Sequence, residues 1–479
     1  MNKKKVLFVA AEVWPFIKTG GLGDVAYSLP KELKKEGVDI RVILPKYSQI
    51  PEKYRKEMKF IGHKSIQLAW RNLYVGIEEL ELDGITYYFI DSQQYFFRNN
   101  IYGEHDDCER FAFFSKAVIQ CFDVIDFYPD IIHCNDWHTG VIPLYLNEKK
   151  REGKYENIRC VFTIHNLRFQ GQFGYNEITN TLGVDSKYYY NEEGIKFHNG
   201  ISFMKAGINY SDIVTTVSES YAEEIKTPYY GENLEGLFIH NNYKLYGITN
   251  GIDYDIFNPE KDLELFSNFN ALNTDNKKLN KKQLQQELRL SLNERAPILS
   301  IITRLDRQKG IDLIIRVFDN LMQETDFQFI LLGNGEKNYE DFFQEIAQKY
   351  PGRVSINIGF NNRLAKEIYA GADMFLMPSQ FEPCGLSQLI SLRYGTIPIV
   401  RETGGLKDTV IPYNEYEKVG NGFSFRNYNA HDMFHVMKYA NSIYHNEEEW
   451  KKIMMLGMTS DNSWKKSAIK YLDLYKKLF

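Results

Sequence analysis

Three short stretches of this chain join cations, a carboxylate and clustered glycines in ways that suit an anionic ligand. The first is Lys18-Thr19-Gly20-Gly21-Leu22-Gly23-Asp24, which follows an apolar run and opens an amphipathic one. Glycines let backbone N–H groups approach an anion, a helix N-terminus adds partial positive charge, and Lys18 supplies a full one. The second covers 302–310, where Arg304 and Lys309 stand five positions apart across a strand-to-helix turn. A departing diphosphate would need such cations. The third covers 379–386, with Glu382 just before Pro383, and Cys384 and Gly385 behind it. Pro383 suits the first turn of a helix, which would set Glu382 at the helix mouth, either as a plain cap or as a ligand group. Thr403-Gly404-Gly405 then offers a turn with further N–H donors for phosphate.

Other chemistries fit these residues less well. Gly21-x-Gly23-x-x-Ala26 has the form of a dinucleotide fingerprint. Eight residues, 12–19, separate the strand from those glycines, and the second strand ends Val42-Ile43-Leu44-Pro45 with no acid to hold a ribose. Asp253-Tyr254-Asp255 has the form of a DxD metal motif, but after Asn250-Gly251 it reads as a turn and helix cap. Cys384 has no histidine base near it in sequence, so it is not read as a nucleophile. His133, His138 and His198 read as structural or solvated. A retaining glycosidase would show two carboxylates astride the bond, and Glu382 has no evident second one.

These residues need a frame, and the apolar spacing predicts one. Strands are expected over 6–11, 40–44, 87–90, 131–134, 160–164 and 213–217, with helices over 22–35 and 110–127 and a helix start at Ser218-Glu219. After Pro297 the alternation restarts, with strands over 298–302, 327–332, 354–358, 374–377 and 397–400 and a helix from Gly310. Such order argues for two α/β domains, each a doubly wound parallel sheet, facing a central cleft at the carboxyl ends of their strands. The division expected is 1–255 and 256–479, with 447–479 a helical tail that packs back onto the first domain. The Asn-, Lys- and Gln-rich stretch 268–286 reads as a surface segment joining the domains, with Lys277, Lys278, Lys281 and Lys282 on a solvated face.

Composition narrows the class. A chain of 479 residues exceeds one comfortable core, which favours two domains. Lys and Arg total 58 against 63 Asp and Glu, a net charge of -5, so no global basic field exists for nucleic acid. Five scattered cysteines form no CxxC pair and read as reduced thiols of a cytoplasmic protein. The apolar run at 6–11 is too short for a signal-peptide core, and no stretch reaches the length of a membrane span. Tyr and Phe are abundant, at 33 and 32, and suit sugar faces as well as ordinary cores.

Seven motifs taken together carry a resemblance. They are Lys18–Asp24, Asn135-Asp136-Trp137-His138, Thr163-Ile164-His165-Asn166, Asn250-Gly251-Ile252-Asp253, Arg304-Leu305-x-x-Gln308-Lys309-Gly310, Phe381–Leu386 and Thr403-Gly404-Gly405. In this order, across nearly the whole chain, they resemble the motif series of bacterial glycogen synthases and plant starch synthases. The resemblance implies a two-domain GT-B fold, ADP-glucose as donor, an α-1,4-glucan acceptor, retention of configuration, and no metal or cofactor. It places the first domain on the acceptor and glucose side and the second on the nucleotide-sugar side. It implies catalytic roles for Glu382, His165, Asp136, Arg304 and Lys309. Donor contacts would come from Arg304 and Lys309, with Lys18, Gly21, Asn250, Cys384, Gly385, Thr403, Gly404 and Gly405; acceptor contacts from Glu12, Tyr95, Trp137 and Asn166. Two departures stand out: Ile390 sits where many related retaining transferases carry a second Glu, and Phe257 replaces a usual Trp. Two alternatives remain at this point: a transferase of the same fold using UDP-glucose or another acceptor, and a non-catalytic glucan-binding scaffold.

Overall fold

The computed structural model describes residues 4–479. The chain forms two compact units, one reaching Asn250 and including Trp464–Phe479, the other Gly251–Ser463. The first unit contains β1 (Lys5–Val9), β2 (Asp39–Pro45), β3 (Lys59–Leu68), β4 (Arg71–Leu82), β5 (Ile85–Asp91), β6 (Ile131–Asn135) and β7 (Arg159–Ile164). The short β8 (Gln172–Gly174), β9 (Lys196–Phe197) and β10 (Gly200–Ser202) follow, then β11 (Ile213–Thr216) and β12 (Leu245–Gly247). Among the described residues nine of these strands make one sheet, in the order β12-β11-β7-β6-β1-β2-β5-β4-β3, and β8, β9 and β10 make a small separate one. Pairing in the large sheet is parallel except for β3–β4 and β4–β5, which are antiparallel. Val6–Val9 and Ile131–Asn135 are buried throughout, as helix-covered parallel strands must be.

The hairpin is absent from the sequence-based reading because its strands are polar on one face and carry no continuous apolar run. The helix expected over 110–127 is Asp107–Gln120. Phe122, Ile125 and Phe127 keep a helical spacing and are buried, but they sit in the turn that follows, where Asp126 adopts a φ of 45°.

The second unit contains β13 (Ile298–Ile302), β14 (Gln328–Gly333), β15 (Val354–Ile358), β16 (Met374–Met377), β17 (Ile397–Arg401) and β18 (Phe423–Phe425). These pair in parallel in the order β15-β14-β13-β16-β17-β18. The order reverses between β13 and β16, so the loops leaving both strands open a crevice at their carboxyl ends. The helix Ile311–Glu324 covers this sheet with Ile311, Ile314, Phe318 and Leu321, one face at helical spacing.

The chain leaves the first unit after Asn250, a few residues before the expected division at 255. The tail at 447–479 is two helices rather than one element. Glu447–Thr459 belongs to the second unit, and Trp464–Lys476 returns to the first. There Tyr475 Oη lies 2.6 Å from His133 Nδ1, His133 Nε2 lies 2.7 Å from Thr163 Oγ1, and that hydroxyl lies 2.6 Å from Thr215 Oγ1. This buried row ties the last helix to β6, β7 and β11, and burial lowers His133 to about 3, so it sits there as the neutral ring.

The lysine-rich stretch corrects the expectation most sharply. It lies within the second unit and includes the helix Asp275–Glu287, with Lys278 and Lys282 exposed but Lys277 and Lys281 buried. Lys281 Nζ pairs with Asp373 at 2.8 Å. Lys277 Nζ donates to Ala370 O at 2.9 Å, Tyr394 O at 3.0 Å, Tyr369 O at 3.3 Å and Thr396 Oγ1 at 2.9 Å. It thereby caps the last turns of Asn362–Gly371 and Ser387–Arg393, whose carbonyls lack intrahelical donors. Burial pushes Lys277 down to about 7, yet the nitrogen donates hydrogen bonds in either protonation state. Among the described residues no helix is long and apolar enough to cross a membrane.

Replacing Lys277 with Met keeps the apolar stem and strands those oxygens without a donor. The expected loss is about 2–3 kcal/mol in urea unfolding, read as a lower midpoint. An unchanged midpoint would show that this nitrogen contributes nothing to the second unit.

Candidate active site

In the second unit three loops at strand ends meet around Glu382. Lys309, from the loop after β13, places Nζ 2.6 Å from Glu382 Oε2, and Ser379 Oγ donates to the same oxygen at 3.1 Å. Gln380 N donates to Gln308 O at 2.8 Å, which stitches the loop after β13 to the loop after β16. Arg401, at the end of β17, donates to Gln380 O at 2.5 Å and Ser379 O at 3.3 Å, holding the approach to Glu382. The turn after β17 closes the third side, where Gly405 N donates to Glu382 O at 3.2 Å. Gly404 has a φ of 45°, and a Cβ there would strike the Glu382 carbonyl, so glycine is required on both counts. Gly385 has a φ of 75°, and Cys384 is buried beside it with its carbonyl accepting from Gln388 Nε2 at 3.1 Å. Arg304 differs from Lys309: its side chain is 62% exposed, 3.5 Å from Asp306, and free to follow an anion.

Glu382 is not a helix cap. The helix begins at Ser387 with Leu386 as its N-cap, so Pro383 lies in an irregular loop rather than in a first helical turn. Proline restricts its own φ as well in such a loop as in a helix, which is why the residue pattern could not separate the two. Ile390, at the position where a second acid was considered, is buried in the core.

In the first unit the corresponding groups again follow strands at their carboxyl ends. Asp136 comes directly after β6 and adopts φ 57° and ψ 175°, a region nearly reserved for glycine. Its Oδ1 accepts from His165 N at 2.7 Å and from Asn166 N at 3.4 Å, which repays part of that strain. Burial raises Asp136 to about 7, against the two N–H contacts that favour the ion. His165 follows β7, and Nε2 lies 2.9 Å from Asn135 Oδ1. The Asn135 amide nitrogen donates to Val9 O at 3.0 Å and His133 O at 3.3 Å, so its oxygen faces the imidazole. His165 therefore carries its proton on Nε2 and leaves Nδ1 as an acceptor. Desolvation lowers the ring to about 3, and it stays neutral.

Other expected residues are placed as follows. Trp137 is buried against Phe111, 5.1 Å between centroids, and against His138. Lys18 pairs with Asp24 at 2.7 Å, so its charge is already met, and Gly23 makes room for its side chain. Gly21 starts the helix Gly21–Lys35 after the N-cap Gly20. Glu12 is buried after β1 and closes the loop back to Thr19, accepting from its N–H and, at 2.8 Å, from its hydroxyl. Desolvation raises Glu12 above the usual carboxylate range. Asn250 is buried, and its Oδ1 has no donor. Tyr95 is fully enclosed, with its hydroxyl on Glu109 and its carbonyl on Arg110, and the structure does not bring it to the other residues. Asp253 Oδ1 accepts from Asp255 N at 2.9 Å, a local turn. Asn135, Gln308, Ser379 and Arg401 carry no assigned role in the sequence reading; Asn135 and Gln308 lie inside motifs, Ser379 opens the stretch 379–386, and Arg401 stands two residues before Thr403.

Two family models match the chain, starch synthase catalytic domain over residues 5–240 and glycosyl transferases group 1 over 283–453. Glycogen synthases from Desulforamulus reducens and Clostridium acetobutylicum are each 53% identical, over 99% and 98% of this chain and 98% and 99% of their own. The glycogen synthase of Fusobacterium nucleatum is 54% identical over 99% of both chains. The catalytic domain of starch synthase IV from Arabidopsis thaliana, solved with ADP and acarbose, superposes with a TM-score of 0.93 at 32% identity, covering 100% of this chain and 99% of that one. Sucrose-phosphate synthase from Thermosynechococcus elongatus, at 16% identity and a TM-score of 0.63, shares the fold. With about half its residues identical to glycogen synthases over nearly the full length, and with the strand-end loops described above, this chain belongs to the glycogen and starch synthase family of retaining glycosyltransferases, of GT-B fold.

Proposed function

We propose that this enzyme transfers glucose from ADP-glucose to the non-reducing end of an α-1,4-glucan, with retention and release of ADP. The observation that carries the reading is the Lys309–Glu382 pair, 2.6 Å apart at the carboxyl ends of the second unit's strands. A diphosphate competes with Glu382 for Lys309, and the exposed Arg304 adds a second cation. Glu382, released from its ammonium, is then an acceptor for hydroxyls of the donor glucose. The Thr403–Gly405 turn packs on the same carboxylate's backbone and belongs with the donor site.

As the bond to the diphosphate breaks, charge grows on the leaving group and the sugar becomes oxocarbenium-like. Arg304 and Lys309 favour the first change, and no carboxylate pair is needed for a covalent intermediate. His165 Nδ1 offers an acceptor for a sugar hydroxyl, and ionised Asp136 offers negative charge to the sugar while fixing the His165 backbone. Because these side chains meet the leaving charge, the reaction requires no divalent ion. Five buried free thiols, with Cys134 and Cys160 unlinked at 3.8 Å between sulfurs, suit a reducing cytoplasm.

ADP-glucose is expected to exceed UDP-glucose at least about tenfold in kcat/KM, or roughly 1.4 kcal/mol, with EDTA leaving turnover intact. Equal use of UDP-glucose would overturn the donor, and loss of activity restored by magnesium would overturn metal independence.

Arg304→Ala and Lys309→Ala should each lower kcat by about 10²–10⁴, the scale of losing one preorganised charge. Glu382→Gln should lower kcat strongly while donor KM moves little. Normal turnover in all three variants would remove them from the mechanism.

Asp136 at about 7 gives the enzyme an acid limb, with kcat/KM falling as pH drops through 7 and the carboxylate takes up a proton. His165, neutral from about 3 upward, adds no limb in that range. Asp136→Asn should abolish the limb along with most activity. A limb near 7 that persists in the residual activity of Asp136→Asn would contradict the assignment.

A further inference from the structure

A cavity of about 450 Å³ opens in the second unit, lined by residues near both of that unit's chain ends, Gly251 and Ser463. Its volume lies within the range of small-molecule pockets, about 300–1,000 Å³. The less exposed wall carries Arg393, the last residue of the helix Ser387–Arg393, with Tyr254 and Met458. The guanidinium lies over the Tyr254 ring, 4.4 Å from its centre. Nη1 reaches Met458 O at 3.4 Å and Nη2 reaches Asn258 Oδ1 at 3.5 Å. Both are longer than the roughly 2.7–3.2 Å of a good N–H···O bond. Nε is buried and has no acceptor. Among the described residues these two oxygens are the only polar partners of Arg393, and no carboxylate pairs with it.

Holding a guanidinium partly out of water without an ion pair costs stability, and a planar carboxylate set against its Nε edge removes that cost. The cavity has carboxylates of its own, but they stand elsewhere. Glu260 and Asp461 are on its exposed rim. Asn270 Nδ2 donates to Glu260 Oε1 at 3.2 Å, and Asp461 Oδ1 accepts from Ser463 N at 3.0 Å. Neither acid reaches Arg393. One cavity thus offers a cation within and negative charge at its rim, with the two unmatched to each other. Pro259, Ala271 and Leu272 add an apolar side.

We propose that this cavity binds a small zwitterion, an α-amino acid with an aliphatic side chain. Its carboxylate meets Arg393, its ammonium meets Glu260 and Asp461 at the rim, and its side chain lies on the apolar side. A molecule with only one of these charges is repelled by the opposite end of the cavity: a phosphate monoester by the rim acids, a simple amine by the guanidinium. The same wall is where the chain's entry and exit segments join. Ile252 N donates to Asn462 O at 2.9 Å, while Tyr254 Oη accepts from Asn462 N at 2.9 Å and donates to Ser460 O at 3.2 Å. A ligand on Arg393 and Tyr254 therefore braces both segments, and its binding takes no part in glucose transfer.

Equilibrium dialysis of the full chain against radiolabelled L-leucine tests this, with leucinamide and 4-methylpentanoate as competitors that each lack one charge. The parent should bind leucine with a Kd of about 1 mM or tighter. Each competitor should displace it at least about tenfold less well than unlabelled leucine does. Arg393→Gln, and Ala271→Phe, which fills the cavity from another wall, should each weaken binding at least about tenfold, whereas Arg304→Ala should bind as the parent does. No leucine binding by the parent, or displacement by 4-methylpentanoate as good as by leucine, would overturn the proposal. So would binding lost in Arg304→Ala and kept in Arg393→Gln, which would place the ligand at the strand-end loops. If Arg393→Gln fails to fold, Ala271→Phe decides, and leucine binding unchanged in that variant overturns the site.

Discussion

A carboxylate and an ammonium that are mostly enclosed have little choice but to pair. Glu382 and Lys309, with side chains 10% and 17% exposed, meet at 2.6 Å, and the second unit's strand-end loops are arranged around that contact. Breaking such a pair from one side strands the other charge, at a cost of several kcal/mol when fully buried. The geometry is therefore held from three directions: Gln308 and Lys309 from one loop, Ser379 from the loop of Glu382 itself, and the Gly404-Gly405 turn against its carbonyl. An incoming diphosphate is the kind of group that can release the ammonium without stranding it. On the proposed reading, the diphosphate would take over the ammonium of Lys309 while hydroxyls of the donor sugar take over Glu382, so that neither charge would be left bare.

The first unit uses strain where the second uses charge. Asp136 occupies a backbone region costing about 1–3 kcal/mol for a residue with a Cβ, and its two N–H contacts are what make that conformation tolerable. The result is a carboxylate pinned to the backbone of His165. Asn135 meanwhile sets the tautomer of the same imidazole through an amide whose own orientation is fixed by Val9 O. Two adjacent residues at the end of β6 thereby define both the position and the protonation of a third at the end of β7.

Much of this frame was legible because buried parallel strands read as short apolar runs; β13, β15 and β16 fall where the spacing set them, and most others within a residue or two. The motif residues were legible by type and order, and the structure gathers Arg304, Lys309, Glu382 and the Gly404 turn at adjoining strand ends. What stayed hidden had specific causes. A lysine with four oxygen partners looks identical in sequence to a solvated one, so Lys277 was misplaced. An antiparallel hairpin with one polar face carries no long apolar run, so β3 and β4 went unread. Tyr95 is enclosed by contacts with Glu109 and Arg110 that no local pattern announces. The positive φ of Asp136 cannot be inferred from an aspartate's identity at all.

The central claim is that Lys309 and Glu382 act as one unit on the donor, and a double-mutant cycle tests it most directly. kcat/KM for ADP-glucose would be measured for the parent, Lys309→Met, Glu382→Gln and the double variant. Coupled residues predict that the double variant is within about threefold of the worse single variant, far from the product of the two losses. Losses that multiply would contradict the account, leaving Lys309 and Glu382 as independent contributors whose 2.6 Å contact has no bearing on turnover.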